Sequence, residues 1–154
     1  MRICLTEVQF AKTQNPRVGQ VIYRIIGEDK RLEVLLVRSF TPGYDIGYCL
    51  PKGKRNDNET DEEGSAREVL EETGLRTKVV ADLGSTPYHH TYMHIFLSKY
   101  ESGALDSEGN ALDHDYENDV VKFFDWDWAS QNIRPTYRHW LEKALPKIQE
   151  KENG

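Results

Sequence analysis

Residues Gly53 to Leu75 read GKRNDNETDEEGSAREVLEETGL. Within that stretch Glu68, Glu71 and Glu72 stand at i, i+3 and i+4. On a helix such positions share one face, with neighbouring Cβ atoms roughly 5–6 Å apart. Three carboxylates on one stripe repel each other unless something neutralises them. A solvated acidic face is the common reason for such a triplet. A hard divalent cation is the other. Mg²⁺ takes oxygen ligands, uses a few carboxylates plus substrate phosphates, and keeps several waters.

Two details favour the cation. Gly53 to Asn58 is a polar, glycine-containing segment leading into the helix, as a backbone approaching an ion or a phosphate needs. The helix is expected to stop at Thr73-Gly74, which leaves the carboxylates in its last turns, where the helix dipole favours cations instead. A local rule broken without structural gain is expected at functional sites. The helix ends are legible too. Thr60-x-x-Glu63 is a capping-box pattern and Gly74 supplies a left-handed stop. The spacing predicts a helix over about Asp61 to Thr73, with Ala66, Val69 and Leu70 as its apolar face and Thr73 alongside.

The fixed points of the stretch are Gly53, five residues, Glu59, seven residues, Arg67-Glu68-Val69, one residue, Glu71-Glu72, one residue, Gly74-Leu75. At every one of these positions, the aliphatic ones included, it resembles the signature of the Nudix hydrolase family. The resemblance implies an α/β/α sandwich with a mixed β-sheet between helices. It also implies a metal-dependent enzyme, using Mg²⁺ or Mn²⁺, that cleaves a nucleoside diphosphate linked to another moiety.

Composition sets the outer bounds. The 154 residues fit one domain, expected to span 1–154. A net charge of −6 argues against a general nucleic-acid surface, which depends on Lys and Arg neutralising phosphates. A small polyphosphate remains compatible, since a metal and a few local cations can supply positive charge. Cys4 and Cys49 lie on apolar runs without metal-ligand spacing, so a reducing cytoplasm is expected rather than a disulfide framework. The N-terminal MRICLTEVQF has no long apolar region, and no run approaches a membrane span. The expected partner is a small-molecule nucleotide, with no membrane; the oligomeric state is left open.

Along the chain, Val18 to Ile26 and Leu32 to Ser39 flank the turn signal Gly27-Glu28-Asp29-Lys30 and read as a hairpin. Arg2 to Phe10 reads as a further strand, and Tyr48 to Pro51 as a short extended piece. After the helix, Thr77 to Leu83, Tyr92 to Tyr100 and Val120 to Trp126 read as strands. Glu101 to Glu117 is a long polar segment, and loops of that length in compact domains are often functional. Tyr137, Trp140, Leu141, Ala144, Leu145 and Ile148 recur at helical spacing and predict a terminal amphipathic helix. Strands around a central helix, closed by a second helix, give a mixed sheet between helices.

Carried over by the resemblance, Glu68, Glu71 and Glu72 hold the metal, with the Gly53 carbonyl as a further ligand. Arg67 orients an active-site glutamate by an ion pair, so Arg67, Glu68 and Glu71 belong to the catalytic set. Glu59 supports loop and helix geometry. A general base from a late loop is implied, and the segment Asp113 to Asp119 is where it is expected. Glu117 is the first choice, with Asp119 and Asp115 as rivals and plain solvated acids as the alternative. Chemistry then rests mainly on positioning and electrostatics, as in other phosphoryl transfers.

For the substrate, Leu50-Pro51-Lys52-Gly53 resembles the entry to the signature in dinucleoside polyphosphate hydrolases. Lys52 is expected to meet a phosphate as a point charge, with Lys54 and Arg55 as candidates to add to it. Tyr92, or Tyr88 as a rival, is expected to stack on a base, against the alternative of a tyrosine packed in the sheet. The ADP-ribose branch of the family prefers a proline near that place, and Pro87 comes early for it. Dinucleoside polyphosphates therefore lead, ahead of nucleoside triphosphates, nucleotide sugars or ADP-ribose, and RNA 5′ ends. A non-catalytic binding module should have lost a metal glutamate or the arginine, and this chain keeps them all. His89, His90 and His94 lack acidic or cysteine partners at zinc-site spacing, so a structural or substrate-facing role is expected instead.

Overall fold

The computed structural model describes residues 14–154. The strand expected over Arg2 to Phe10, with Cys4, lies outside the described residues. Among those described, six strands form one mixed sheet with three helices around it. The strands are β1 (Arg17–Ile26), β2 (Arg31–Arg38), β3 (Lys52–Lys54), β4 (Arg76–Tyr88), β5 (Thr91–Ser102) and β6 (Val120–Asp125). The helices are α1 (Asp61–Thr73), α2 (Trp126–Asn132) and α3 (Arg138–Asn153). A 3₁₀ turn, Pro135–Tyr137, leads into α3. The sheet order is β4-β5-β1-β2-β6, with β3 added beside β1.

β1 is the centre. Val18 through Tyr23 are all buried, as a strand covered on both faces requires. Alternation along the strand assigns a helix to each face. Gln20 donates from Nε2 to Ser65 Oγ of α1 at 3.0 Å, and Tyr23 donates from its hydroxyl to Glu152 Oε2 of α3 at 2.7 Å. This is the expected α/β/α sandwich. The parallel neighbour of β1 is β5, from Arg17↔Met93 to Tyr23↔Lys99. On its other edge the strand divides its pairing. Residues Arg17 to Gly19 pair with β3, and residues Tyr23 to Ile26 pair with β2. That division brings the end of β2 and the Lys52–Lys54 segment to the same edge, beside α1.

The expected hairpin forms. Lys30 donates its N–H to the Gly27 carbonyl at 3.1 Å, and β1 then pairs antiparallel with β2. α1 has the expected bounds and both caps. Thr60 Oγ1 accepts from Glu63 N–H, Glu63 Oε1 accepts from Thr60 N–H, and Gly74 has φ 74°. Its buried face differs from the expected one. Gly64, Ser65, Val69 and Thr73 are buried, whereas Ala66 is exposed and Leu70 is 37% exposed. The reason is close approach. A Cβ on Gly64 would lie 3.2 Å from Val18 Cγ2 and 2.9 Å from Glu59 Oε1, so small residues let α1 settle on β1.

Other differences are local. Lys52 to Lys54, expected to open a loop, form strand β3. The strand after Glu117 stops at Asp125, whose carboxylate accepts from Trp128 N–H at 3.1 Å and starts α2. That helix was not read from the sequence. The long segment before β6 is partly structured by the bridges Leu105↔Ala111 and Asn110↔Lys122. No helix among the described residues is long and apolar enough to cross a membrane.

His94 on β5 sits between two carboxylates. Its Nδ1 lies 2.7 Å from Asp61 Oδ2 at the start of α1, and its Nε2 lies 2.7 Å from Asp82 Oδ1 on β4. Tyr92 and Arg55 also donate to Asp61. Burial opposes charge on the imidazole, but the bonds and charges of Asp61 and Asp82 outweigh it and raise its pKa. A raised folded pKa contributes stability that is full below about pH 6.5, the ordinary histidine value, and fades as pH rises through the folded value. His94→Gln should therefore cost more stability at pH 6 than at pH 9 in urea unfolding. Equal losses at the two pH values would contradict this ion-pair role.

Candidate active site

The last two turns of α1 face β3, and one arginine organises the space between them. Arg67 takes Glu59 side-on, with Nε and Nη2 at 3.0 and 2.7 Å from its two oxygens. Its Nη1 donates to Glu68 Oε1 at 3.0 Å and to Glu71 Oε1 at 3.1 Å. Its Nη2 also donates to the Lys54 carbonyl at 3.0 Å. The guanidinium thus joins three glutamates and the end of β3, a use of the planar fork that lysine cannot reproduce. Glu59 additionally accepts from Asn56 N–H at 2.8 Å, which fixes the loop before the helix.

Glu68 lies directly against the backbone of Gly53. A Cβ built on Gly53 would overlap the Glu68 carboxylate, so only glycine allows this approach. Glu72 meets the first residue of β3 instead. Its Oε2 accepts from Lys52 N–H at 3.2 Å and its Oε1 from Asn118 Nδ2 at 2.9 Å. The same turn is anchored from the late loop by Asp115 N–H, which donates to the Glu72 carbonyl at 3.0 Å.

Charge is unevenly compensated. The Arg67 bonds hold the Glu59 carboxyl below the usual range. Glu68 receives only a share of that arginine, and burial raises its pKa despite it. Burial pushes Glu72 up to about 7, with the Asp115 charge adding to the effect and Lys52 opposing it. Two partly buried carboxylates are therefore under-neutralised beside a backbone carbonyl segment. That is the electrostatic setting a hard divalent cation relieves, and an all-oxygen donor set suits Mg²⁺ or Mn²⁺. The three glutamates do not already converge. Among the described residues no group of three His, Cys, Asp or Glu is arranged to hold a metal: Arg67 gathers Glu68 and Glu71, while Glu72 is bonded apart from them to Lys52 N–H and Asn118. Glu71, whose side chain is 59% exposed, has the most freedom to turn inward.

A cavity of about 510 Å³ adjoins this cluster, and Lys52, Glu72, Glu117 and Asn118 all line it. Lys52 Nζ lies 5.2 Å from the centre of the Tyr137 ring, which steadies it within the pocket. Of the late-loop acids, Glu117 reaches the cavity. Asp119 is engaged elsewhere, its carboxylate accepting from Phe40 N–H at 2.6 Å. Asp115 stands behind Glu72, with Oδ1 3.5 Å from Asn118 Nδ2. Lys54 is exposed, and its carbonyl serves the Arg67 network.

Tyr92 is not brought to this cavity. Its hydroxyl donates to Asp61 Oδ2 at 3.0 Å, in the first turn of α1. Asp61 and Glu72 are roughly 16 Å apart along the helix axis at 1.5 Å per residue. Tyr88 packs edge-on against His89, with centroids 4.5 Å apart. Asn118 was missed by the sequence reading. An asparagine in an acidic run carries no spacing signal, and only the fold brings it to Glu72.

A carboxylate helix set by an arginine fork on a mixed sheet, with a lysine-bearing cavity beside it, defines an α/β protein with a built, charged site. The chain belongs to the NUDIX domain family, whose model matches residues 15–146. A stretch of 101 residues is 38% identical to the protein called MutT4 of Mycobacterium tuberculosis, covering 60% of this chain and 36% of that one. Another of 107 residues is 34% identical to the NAD-capped RNA hydrolase NudC of Photobacterium profundum, covering 68% of this chain and 39% of that one. The chain matches well under half the length of these two curated relatives. Among solved structures, an Ap4A hydrolase of C. elegans aligns with a TM-score of 0.68 at 19% identity, over 87% of this chain and 98% of that one. A NUDIX hydrolase of Nitrosomonas europaea aligns with a TM-score of 0.62 at 24% identity, over 92% and 74%. These structural likenesses bear on the fold.

The raised pKa of Glu72 has a testable sign. A carboxyl at about 7 when folded, against about 4.3 when unfolded, loses stability as pH rises through the folded value. Glu72→Gln removes that buried charge. In chelator, its melting temperature should exceed that of the wild type at pH 8, and the gap should shrink at pH 5. A variant less stable than wild type at pH 8 would show that the charge is well compensated without metal.

Proposed function

We propose that this chain is a divalent-metal-dependent hydrolase of the diphosphate linkage in a nucleoside diphosphate joined to another moiety. The observation that carries the reading is the pair of under-neutralised carboxylates on α1, Glu68 against Gly53 and Glu72 against Lys52, with Glu72 and Lys52 also lining the cavity. In this reading Glu68, Glu71, Glu72 and the Gly53 carbonyl hold Mg²⁺ or Mn²⁺. Such an ion supplies Lewis acidity, neutralising diphosphate charge and favouring ionisation of water.

The protein groups do the rest. Arg67 keeps Glu68 and Glu71 oriented and limits their mutual repulsion. Lys52 meets a phosphate oxygen as a point charge, and Lys54 stands at the end of the same strand to add to it. Glu117, at the cavity wall, accepts the proton of the attacking water, whose oxygen displaces a phosphate in line. The products are two phosphorylated fragments, with the water oxygen on one of them.

Dinucleoside polyphosphates are the first substrates to test, on the strength of Leu50-Pro51-Lys52-Gly53. The likeness to NudC makes NAD-capped RNA the second. A panel of diadenosine tetraphosphate, ADP-ribose, a nucleoside triphosphate and NAD-capped RNA, with products identified by mass, separates these. Activity should require added Mg²⁺ or Mn²⁺ and vanish in excess chelator. Glu72→Gln should lower kcat by about 100-fold or more, the scale of losing transition-state charge stabilisation. Glu62→Gln, exposed on the same helix, should change little. Small and equal effects from both variants would reduce the stripe to a solvated face.

A further inference from the structure

The cavity beside Glu72 does not end at the carboxylates. Its lining continues through the segment after β2, where Thr41, Tyr44 and Ile46 contribute. That segment is fixed by its own polar groups. Tyr44 N–H donates to the Thr41 carbonyl at 2.9 Å. The Asp45 carboxylate accepts from Arg38 Nε and Nη2, each at 3.1 Å, and from Gly47 N–H at 3.0 Å. Arg38 in turn lies over the Phe40 and Tyr48 rings, 5.0 and 4.9 Å from their centres. Asp119 ties the segment to the loop that bears Glu117, accepting from Phe40 N–H and donating its own N–H to the Arg38 carbonyl at 2.8 Å.

Tyr44 takes no part in this bracing through its side chain. The residue is 75% exposed, and its ring makes no hydrogen bond or ring contact among the described residues. Ile46 beside it is 47% exposed. An apolar surface held out at the mouth of a cavity, on a segment already ordered by other groups, gains nothing from the fold itself. The cavity lining thus joins Lys52 and Glu72 at one end to the segment after β2 at the other, where the Tyr44 ring and the Ile46 side chain stand beside Arg38, itself paired with Asp45. A ligand that fits both ends is anionic on one side and flat and apolar on the other.

We infer that Tyr44 is the stacking platform for the base of the nucleotide, with the phosphates directed toward Lys52 and the carboxylates. The orientation rests on the hydrolase reading above; the stacking does not. The role expected for Tyr92 falls instead to a residue on the opposite side of the signature in sequence. Because the Asp119 bonds fix this segment to the Glu117 loop, base and reacting phosphate are held in one register. Stacking on a single aromatic face tolerates different bases, so Tyr44 selects for a base rather than for its identity.

The test compares AMP with ribose 5-phosphate, two probes that differ only in the base. Their affinities are measured by titration calorimetry with Mg²⁺ for wild type, Tyr44→Ala and Tyr44→Phe. Wild type should prefer AMP by about 10-fold or more, the scale of one base–aromatic stack. Tyr44→Ala should bring that ratio close to one while leaving ribose 5-phosphate binding and the melting temperature unchanged. Tyr44→Phe should keep the preference. A wild-type ratio near one, an unchanged ratio in Tyr44→Ala, or a preference lost in Tyr44→Phe overturns the inference. Absence of turnover on the substrate panel would instead overturn the hydrolase reading, which the binding ratio does not depend on.

Discussion

The Arg67 fork is the interaction on which the site depends. Glu68 and Glu71 stand one turn apart or less on one helix, and Glu59 closes in from the loop. Like charges at that spacing destabilise a helix. One guanidinium, with its donors spread in a plane, meets all three carboxylates and also the Lys54 carbonyl. Isolated exposed ion pairs add little stability. This network differs because Glu59, Glu68 and Arg67 side chains are only 14%, 18% and 26% exposed. Its effect is also uneven: Glu59 is fully answered and Glu68 is not. The helix is thereby held together without consuming the negative charge at its Gly53 side.

The sheet makes the second half of the site. β1 gives the first part of one edge to β3 and the last part to β2. β3 thereby delivers Lys52 and Gly53 to α1, while β2 ends at Arg38 where the Tyr44 segment begins. The long segment before β6 then returns across both, with Asp115 bonded to the Glu72 carbonyl and Asp119 to Arg38. Three stretches distant in sequence meet at one cavity because a single central strand sets their register.

Much of this was legible in the sequence, for physical reasons. Local signals read well. The Thr60–Glu63 box and Gly74 bounded α1, and Gly27 to Lys30 marked the hairpin, since caps and turns depend on residues a few positions apart. Signals that depend on packing read poorly. Ala66 and Leu70 looked like the apolar face of α1, but close approach to β1 selects Gly64 and Ser65 instead. Helix α2 escaped notice because its start rests on one Asp125 cap amid aromatic residues that also suit a strand. In the site, spacing picked out the glutamate stripe, the family resemblance pointed to Arg67, and Glu117 lines the cavity. Asn118 and Tyr44 carried no such signal, and Tyr92 was placed by sequence distance although helix length separates it from Glu72.

The central claim is that the α1 carboxylates of Glu68, Glu71 and Glu72 hold a divalent ion. Electron paramagnetic resonance of Mn²⁺ titrated into the protein at neutral pH reads this directly, since the sharp signal of free Mn²⁺ disappears on binding. The account predicts loss of that signal with wild type and its persistence with a Glu68→Gln, Glu72→Gln double variant that still folds. Equal loss of the signal with both proteins would contradict it.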